Sequence, residues 1–316
     1  MKKILLLVII LSMLAASGCA VNNGSEKSTI AVGIPPLAGF VEKVAGDDFT
    51  IVTLVPPGNS PANYQPTAKE MQQLSDAGIY FTLQMPTEVA NILPKAADFN
   101  KDLNIIYLRD EVSLVYPLLE AEGHSHDEDE HDEDEHDEDE HDEDEHDEDH
   151  DHGDLTVDPH LWLSPKRAIE MVNIITRELS ELNPGSKDEY EANAGAFIAE
   201  LEDLDARIKV IVSNMTIKSF MMYHGAYSYF ADDYGLEMIT LEASGKQASA
   251  SDIQEVIDHA VEEGIKVVFY QDEFDDNQAK TVAEEIGGRV EKSSPLSTNY
   301  IESLDAFAKV LEIQGD

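Results

Sequence analysis

One long amphipathic segment constrains the fold more than any other part of the sequence. Its apolar side chains recur at spacings of four and three residues over about six turns, the period of a helix that buries one face. The stripe consists of Tyr190, Ala194, Phe197, Leu201, Leu204, Ile208 and Ile211. Ser186 and Glu189, three residues apart, precede the stripe as a capping box does. The pattern predicts a linker helix at 186–212 that acts as a rigid strut between the segments on either side.

Short apolar runs alternate with helical segments on both sides of this linker helix. Before it, the predicted strands are Thr29–Gly33, Ile51–Val55, Ile79–Leu83 and Ile105–Leu108. After it, they are Ser219–Tyr223, Glu237–Leu241 and Lys266–Tyr270. Strands that alternate with helices are typical of parallel sheets. The sequence therefore predicts an α/β protein with two parallel-sheet lobes, an N-terminal lobe at 28–185 and a C-terminal lobe at 213–316.

The N-terminus has the pattern of a targeting segment. Lys2 and Lys3 precede the apolar run Ile4–Leu14, which is too short to span a bilayer of about 30 Å as a helix. Small residues then precede Cys19, the only cysteine of the chain, as in the lipobox of bacterial lipoproteins. We predict a signal peptide at 1–18, lipidation of Cys19 and a flexible tether at 19–27. An ordinary secretory signal with a chance cysteine is the alternative.

A tract of histidines and acids occupies residues 123–154 and is built on the repeated pentad His-Asp-Glu-Asp-Glu. We predict that this tract is a disordered loop within the first lobe, because it lacks apolar residues and its like charges repel. Histidines five residues apart lie about 140° apart around a helix, so the tract predicts only weak, exchangeable metal binding. A charged solubilising loop is the alternative. The accessory ligands would be His124, His126, His131, His136, His141, His146, His150 and His152.

The strongly acidic composition limits the possible partners. The formal net charge is −44, and outside the tract 44 acidic residues still face 21 Lys and Arg. A nucleic acid would be repelled by such a chain, so we exclude nucleic-acid binding. A cationic partner fits this charge, as does a high-salt habitat.

Polar residues follow predicted strands at the positions where open α/β sheets bind ligands. The loop 56–66 follows the second strand, His224 follows the fifth, and 271–273 follow the seventh. His160 lies in a loop that leads into a helix. Two imidazoles, one from each lobe, could form an N/O site for a divalent metal together with nearby carboxylates or amides. A hydrogen-bonding His160 and a core His224 are the alternatives, and His259 is predicted to lie on the surface.

Four segments carry a family resemblance. They are Leu54–Gly58, Asp158–Pro165, Tyr223–Leu236 and Pro295–Tyr300. From Thr29 to its C-terminus the chain resembles the cluster A-I substrate-binding lipoproteins of ABC importers for zinc and manganese. The resemblance implies two α/β lobes joined by a rigid helix, with His160 and His224 as metal ligands. Members with a His- and acid-rich loop usually handle zinc.

Two positions depart from the pattern of that family. The resemblance implies a ligand histidine where Ala62 stands and a ligand carboxylate where Ser294 stands. Neither residue offers the implied ligand, so other groups would have to replace them. The candidates are Asn63, Tyr64, Gln271, Asp272, Glu273, water and a histidine of the tract.

We therefore expect a monomeric, lipid-anchored protein on the extracytoplasmic face of the cell membrane. It would capture a divalent transition metal and pass it to an ABC permease with its ATPase, without catalysing a reaction. The expected metal is Zn(II), and Mn(II) or another divalent metal is the alternative. A cell-surface metal buffer that uses mainly the tract is the competing hypothesis. A zinc hydrolase is a third hypothesis, but the sequence contains no His-Glu-x-x-His or other catalytic signature.

Overall fold

The structure, a computed structural model, describes residues 27–121, 157–243, 246–247, 250–274 and 276–314. Within these ranges, two α/β lobes flank one long helix. The predicted signal peptide, Cys19 and the predicted disordered tract with its eight histidines lie outside the described residues. No helix of the described ranges combines the length and hydropathy that crossing a membrane requires.

The first lobe contains a four-stranded sheet in the order β2-β1-β3-β4. All three strand pairings are parallel, as the alternation of strands and helices predicts. The elements are β1 (Thr29–Val32), α1 (Pro35–Ala45), β2 (Thr50–Thr53), α2 (Ala68–Ser75), β3 (Ala77–Thr82), α3 (Leu93–Phe99), β4 (Asn104–Tyr107), α4 (Leu108–Ser113) and α5 (Pro165–Leu182). Because the strands are parallel, the segments after β2 and β3 leave the sheet at the same edge.

The second lobe contains a four-stranded parallel sheet in the order β10-β9-β5-β6. Its elements are β5 (Ser219–Met222), α7 (Ser228–Tyr234), β6 (Glu237–Thr240), β7 (Glu242–Ala243), β8 (Lys246–Gln247), α8 (Ala250–Glu263), β9 (Val267–Gln271), α9 (Asn277–Glu285), β10 (Arg289–Ser293) and α10 (Tyr300–Glu312). Strands β7 and β8 form a short antiparallel hairpin directly after β6. The segments after β5, β6 and β9 therefore emerge at one edge of this sheet.

Helix α6 (Lys187–Asn214) joins the lobes and buries the predicted apolar stripe. Its 28 residues correspond to a length of roughly 42 Å. The predicted capping box at its start is wrong, because the Ser186 side chain caps no backbone N–H. Instead the Ser186 hydroxyl accepts a hydrogen bond from Asn183 Nδ2 at 3.1 Å, within a helical turn that precedes α6.

Both lobes share one hydrophobic core that runs through α6. Phe40 of α1 lies 5.7 Å from Phe197 of α6 and 5.2 Å from Tyr300 of α10, measured between ring centroids. At Gly39 the backbone of the second lobe comes so close that an added Cβ would lie 2.7 Å from the carbonyl oxygen of Thr298. The lobes therefore contact each other directly as well as through α6.

Three elements were not predicted from the sequence: α4, the β7–β8 hairpin and β10. Strand β10 reads Arg-Val-Glu-Lys-Ser, and its charged residues hide the apolar pattern of a strand. It lies at the edge of its sheet, where charged side chains are common. The predicted strands agree with the observed ones to within two residues.

Candidate metal centre

A cavity of about 560 Å³ lies between the lobes at the carboxyl ends of their strands. The first lobe lines it with the loop after β2 and the turn after β3. The second lobe lines it with the segments after β5, β6 and β9. The residues that line it include Ser60, Ala62, Asn63, Gln84, Met85, Asp158, His160, Trp162, His224, Glu242, Gln271, Glu273 and Phe274.

His160 is held by the chain immediately before it. Its backbone N–H donates to Asp158 Oδ1 at 2.8 Å, and its Nδ1 lies 2.7 Å from the same oxygen. The imidazole also lies against Trp162, with ring centroids 5.3 Å apart. Trp162 is 1% exposed, and its Nε1 donates to the carbonyl oxygen of Pro295 at 2.8 Å. The ring of His160 is therefore fixed by one hydrogen-bonded carboxylate and one buried aromatic.

Asp158 is buried, and burial opposes its ionisation. The imidazole of His160 and the hydrogen bonds from its ring and backbone outweigh burial, so the pKa of Asp158 lies below its usual value. The carboxylate is thus maintained beside the imidazole.

His224 follows β5, and two strands of its own lobe position it. Its backbone exchanges hydrogen bonds with the Gln271 carboxamide at the end of β9: the His224 N–H donates to Oε1 at 3.4 Å, and Nε2 donates to the His224 carbonyl oxygen at 2.7 Å. Its Nδ1 lies 2.7 Å from Oε2 of Glu242, which begins β7 two residues after the end of β6. The ring of Phe274 lies 5.0 Å away between centroids.

The imidazoles of His160 and His224 meet in this cavity. Their ring centroids lie 5.3 Å apart and their planes are inclined at 73°. Each Nδ1 contacts a carboxylate, which favours the tautomer that carries its proton on Nδ1 and leaves the Nε2 lone pair free. This is the arrangement by which carboxylates orient histidines that bind metals. The two side chains are partly accessible, 14% and 24% exposed respectively.

Three of the candidate replacement ligands line the same cavity, and they differ in availability. The Gln271 carboxamide is occupied by the backbone of His224. Asn63 is exposed in the loop after β2, close to Ala62. Burial raises the pKa of Glu273, and the nearby Asp272 adds to this effect, so a cation in the cavity would favour its ionised form.

The other candidate positions lie apart from the cavity lining. The Tyr64 hydroxyl donates to the Glu70 carboxylate at 2.9 Å, and Asp272 pairs with Lys292. Ser294 uses its carbonyl oxygen to accept a hydrogen bond from the Ser303 hydroxyl at 2.7 Å. Within the described ranges, no three His, Cys, Asp or Glu side chains gather into a group that could hold a metal.

His259 lies on the surface, as predicted, with 46% of its side chain exposed. Its Nε2 is 3.7 Å from Oε1 of Glu237, and the residue lies outside the cavity lining. The pair offers an exposed counterpart to the partly buried pair of His224 and Glu242.

Sequence reasoning missed the carboxylate partners of the two histidines. Asp158 could have been found, because an Asp two residues before a His can accept its backbone N–H. Glu242 gave no such signal, because it lies eighteen positions after His224 in the chain and meets it only when β5 pairs with β6.

The chain before residue 122 and the chain after residue 156 contact each other beside the cavity. Glu120 and Val157 form an antiparallel bridge, and Asp158 N donates to the Leu119 carbonyl oxygen at 2.9 Å. The Tyr229 hydroxyl accepts from Leu119 N at 3.1 Å and donates to the Asp158 carbonyl oxygen at 2.8 Å. The chain therefore leaves and re-enters the described region at the rim of the cavity.

Comparison with known proteins gives one family and several relatives. Residues 30–313 match the family model described as ZnuA, zinc-uptake complex component A, periplasmic. The zinc-binding lipoprotein AdcA of Streptococcus pneumoniae is 29% identical over all of this chain, which spans 62% of that protein. The high-affinity zinc uptake system protein ZnuA of Bacillus subtilis is 27% identical, with 95% of this chain and 90% of the relative covered.

Solved structures of similar proteins share the architecture. A crystal structure of ZnuA has a TM-score of 0.76 at 29% identity, with 92% of this chain and 99% of that chain covered. The Zn(II)-bound ZnuA-like domain of AdcA from Streptococcus pneumoniae has a TM-score of 0.67 at 26% identity, with 92% of this chain and 99% of that chain covered.

Proposed function

Because the chain belongs to the ZnuA family of periplasmic zinc-uptake components, we propose that it captures Zn(II) outside the cytoplasm for an ABC importer. The ion would bind between the lobes and pass to a membrane permease that is driven by an ATPase. No chemical step is part of this function. Mn(II) or another divalent ion is the alternative cargo, and a Mn-bound periplasmic protein is among the structural relatives, at 20% identity.

The observation that carries the proposal is the pairing of His160 and His224 from separate lobes. Two imidazoles that bind one tetrahedral Zn(II) through nitrogens at about 2.0–2.1 Å have ring centroids roughly 5 Å apart. The observed separation of 5.3 Å is therefore compatible with a shared ion. We assign Nε2 of both residues as ligand atoms, since each Nδ1 contacts a carboxylate.

Glu273 is our choice for a third ligand, which it would become by moving toward the two imidazoles, because the described side chains do not gather into a three-ligand group as they stand. It lines the cavity on the same wall as His224, and its raised pKa is the property of a carboxyl group that a bound cation would help to ionise. A net negative charge at the site would offset part of the charge of the ion. With Ala62 and Ser294 in place of the implied ligands, the coordination would be completed by further oxygen donors or water.

We also propose that Cys19 carries the lipid anchor and that the mature protein is a monomer tethered to the membrane. The histidines of 123–154 would collect ions as an accessory store. The bridge between Glu120 and Val157 supports this role, because the described residues on either side of the tract, Ala121 and Val157, line the cavity.

Ala62 favours a second candidate function, a cell-surface metal buffer in which the tract is the main store. The two hypotheses differ in where a tight site would lie. Zinc titration of the mature protein without residues 123–154 separates them, with His160→Ala plus His224→Ala as the test variant and His259→Ala as the control. A single tight site that the double variant loses supports the receptor. Retained tight binding in the double variant overturns the site, and the absence of any tight site supports the buffer.

A further inference from the structure

The segments that line the cavity differ in charge. The second lobe contributes Glu242 and Glu273 beside His224. On the first-lobe side Asp158 and His160 line the cavity, but the loop after β2 and the turn after β3 contribute no charged side chain. The side-chain oxygens of these two segments come from Ser60, Asn63 and Gln84. A cation between His160 and His224 would therefore meet only neutral oxygens from these two segments.

Gln84 differs from the other two because it is buried and strained. It is 8% exposed, and its Oε1 is buried without a hydrogen-bond partner among the residues that the structure describes. Its φ is 57°, a positive value that no other non-glycine residue of the described ranges adopts. Residues other than glycine are disfavoured in this conformation, and strain of this kind is concentrated at functional sites.

The turn that carries Gln84 is fixed from below by a buried acid. Both oxygens of Glu88, a fully buried residue, accept hydrogen bonds: Oε2 from Leu83 N at 3.2 Å and Met85 N at 2.9 Å, and Oε1 from the Tyr80 hydroxyl at 2.5 Å. The Gln84 N–H itself donates to Thr82 Oγ1 at 3.0 Å. The backbone on both sides of Gln84 is thereby fixed, and the side chain is presented to the cavity from a rigid support.

Glu88 has room for this role because Gly33, which directly follows β1, lacks a side chain. An added Cβ at Gly33 would lie 2.0 Å from Glu88 Oε1. The buried acid, the strained turn and the glycine beneath them thus form one connected arrangement that ends at the wall of the cavity.

We propose that the Gln84 carboxamide is a second contact of the first lobe, besides His160, with the captured divalent cation, which it meets through its oxygen. This inference rests on the proposed function and adds a ligand that compensates for the missing histidine at Ala62. A half-turn of the terminal amide exchanges its oxygen and nitrogen, so the oxygen can face an ion in the cavity. A carbonyl-type oxygen suits both zinc and manganese sites.

The test is zinc competition against a chromophoric chelator, with the full mature chain and three variants at this position. Gln84→Ala should weaken zinc binding roughly tenfold or more, the scale of losing one supporting group at a metal site. Gln84→Gly should weaken it equally and raise the melting temperature, because glycine relieves the strain. Gln84→Glu, which keeps a side-chain oxygen at this position, should bind zinc at least as tightly as the wild type. Gln72→Ala on the exposed face of α2 is the control.

The outcomes separate this inference from the proposed function. If Gln84→Ala and Gln84→Gly bind zinc within twofold of the wild type, while His160→Ala plus His224→Ala loses the tight site, the assignment of Gln84 is wrong and the receptor function stands. If that double variant binds as tightly as the wild type, both are wrong. A fall in zinc affinity together with a rise in melting temperature for Gln84→Gly supports the assignment. If Gln84 had a purely structural role, this variant would lower both the affinity and the melting temperature.

Discussion

Oε2 of Glu242 lies 2.7 Å from Nδ1 of His224, although the two residues follow different strands, β6 and β5 respectively. The contact exists because β5 and β6 are parallel neighbours, so that the residues following them share an edge of the sheet. The Glu242 side chain is 11% exposed, so water screens this interaction little. One strand pairing thus sets the tautomer of an imidazole in the cavity.

We predict that Glu242→Ala weakens zinc binding about 10- to 100-fold, the usual effect of removing the carboxylate behind a ligand histidine. Glu242→Gln should lose less, because its amide oxygen can still accept from Nδ1. Isothermal titration of zinc measures both. Glu237→Ala is the matched control, since Glu237 faces the exposed His259 at 3.7 Å. Unchanged affinity in Glu242→Ala would contradict the role of this pair.

The single tryptophan should report directly on the site. Trp162 is the only Trp of the chain, it is buried, and its ring centroid lies 5.3 Å from that of His160. We expect zinc to change its fluorescence emission with the stoichiometry of one tight site. The change should disappear in His160→Ala plus His224→Ala and persist in His259→Ala. Emission that tracks zinc equally in all three proteins would place the tight site elsewhere.

Because the lobes contact each other directly at Gly39, we predict that an alanine at this position destabilises the protein. Gly39→Ala would place its Cβ 2.7 Å from the Thr298 carbonyl oxygen, so we expect the free energy of unfolding to fall by about 1–3 kcal/mol. Gly195→Ala on α6 meets no atom within 4 Å. It should stabilise the protein by about 0.5–1 kcal/mol through helix propensity. Urea unfolding compares the two, and equal effects would argue against close contact at Gly39.

The attachment of α10 to α6 should depend on pH. Arg207 Nε lies 3.0 Å from Asp305 Oδ1, and Lys309 Nζ lies 2.5 Å from Oδ2. Burial opposes ionisation of Asp305, but these hydrogen bonds outweigh it and hold its pKa below the usual value. The stabilisation is therefore present above the unfolded pKa of about 3.9 and is lost as pH falls through the lower folded pKa.

Accordingly, Asp305→Asn should lower the free energy of unfolding by about 1 kcal/mol at pH 7. The difference from the wild type should shrink below about pH 4 as the wild-type carboxylate becomes protonated. Chemical denaturation at a series of pH values measures this. A difference that stays constant down to pH 3 would mean that the charge of Asp305 contributes nothing.

The sequence allowed the architecture to be predicted because the architecture depends on periodic patterns. The stripe from Tyr190 to Ile211 identified α6, and the alternation of strands and helices identified both parallel sheets. The failures concern local competition. Ser186 has the spacing of a capping residue, yet its hydroxyl accepts a hydrogen bond from Asn183 instead of from a backbone N–H of α6. The charged residues of β10 gave no strand pattern in the sequence, and the strand is recognised only by its pairing with β9.

The site was only partly predictable, for a related reason. His160 was found in a loop that leads into a helix and His224 after a predicted strand, and the structure brings them into one cavity. Glu242 and Gln84 act through contacts that depend on strand pairing and on one strained φ. No spacing rule encodes either contact. Among the replacement candidates, only the folded chain separates Asn63 and Glu273 from Tyr64 and Asp272, which are bound elsewhere.

The bridge between Glu120 and Val157 has an evolutionary consequence. It joins the chain on both sides of residues 122–156, so the folded body imposes no particular number of residues between these points. Doubling the length of a closed connection costs only about 0.6 kcal/mol in closure entropy. The number of pentads, and with it the number of histidines, can therefore change by whole repeats while His160 and His224 stay in place.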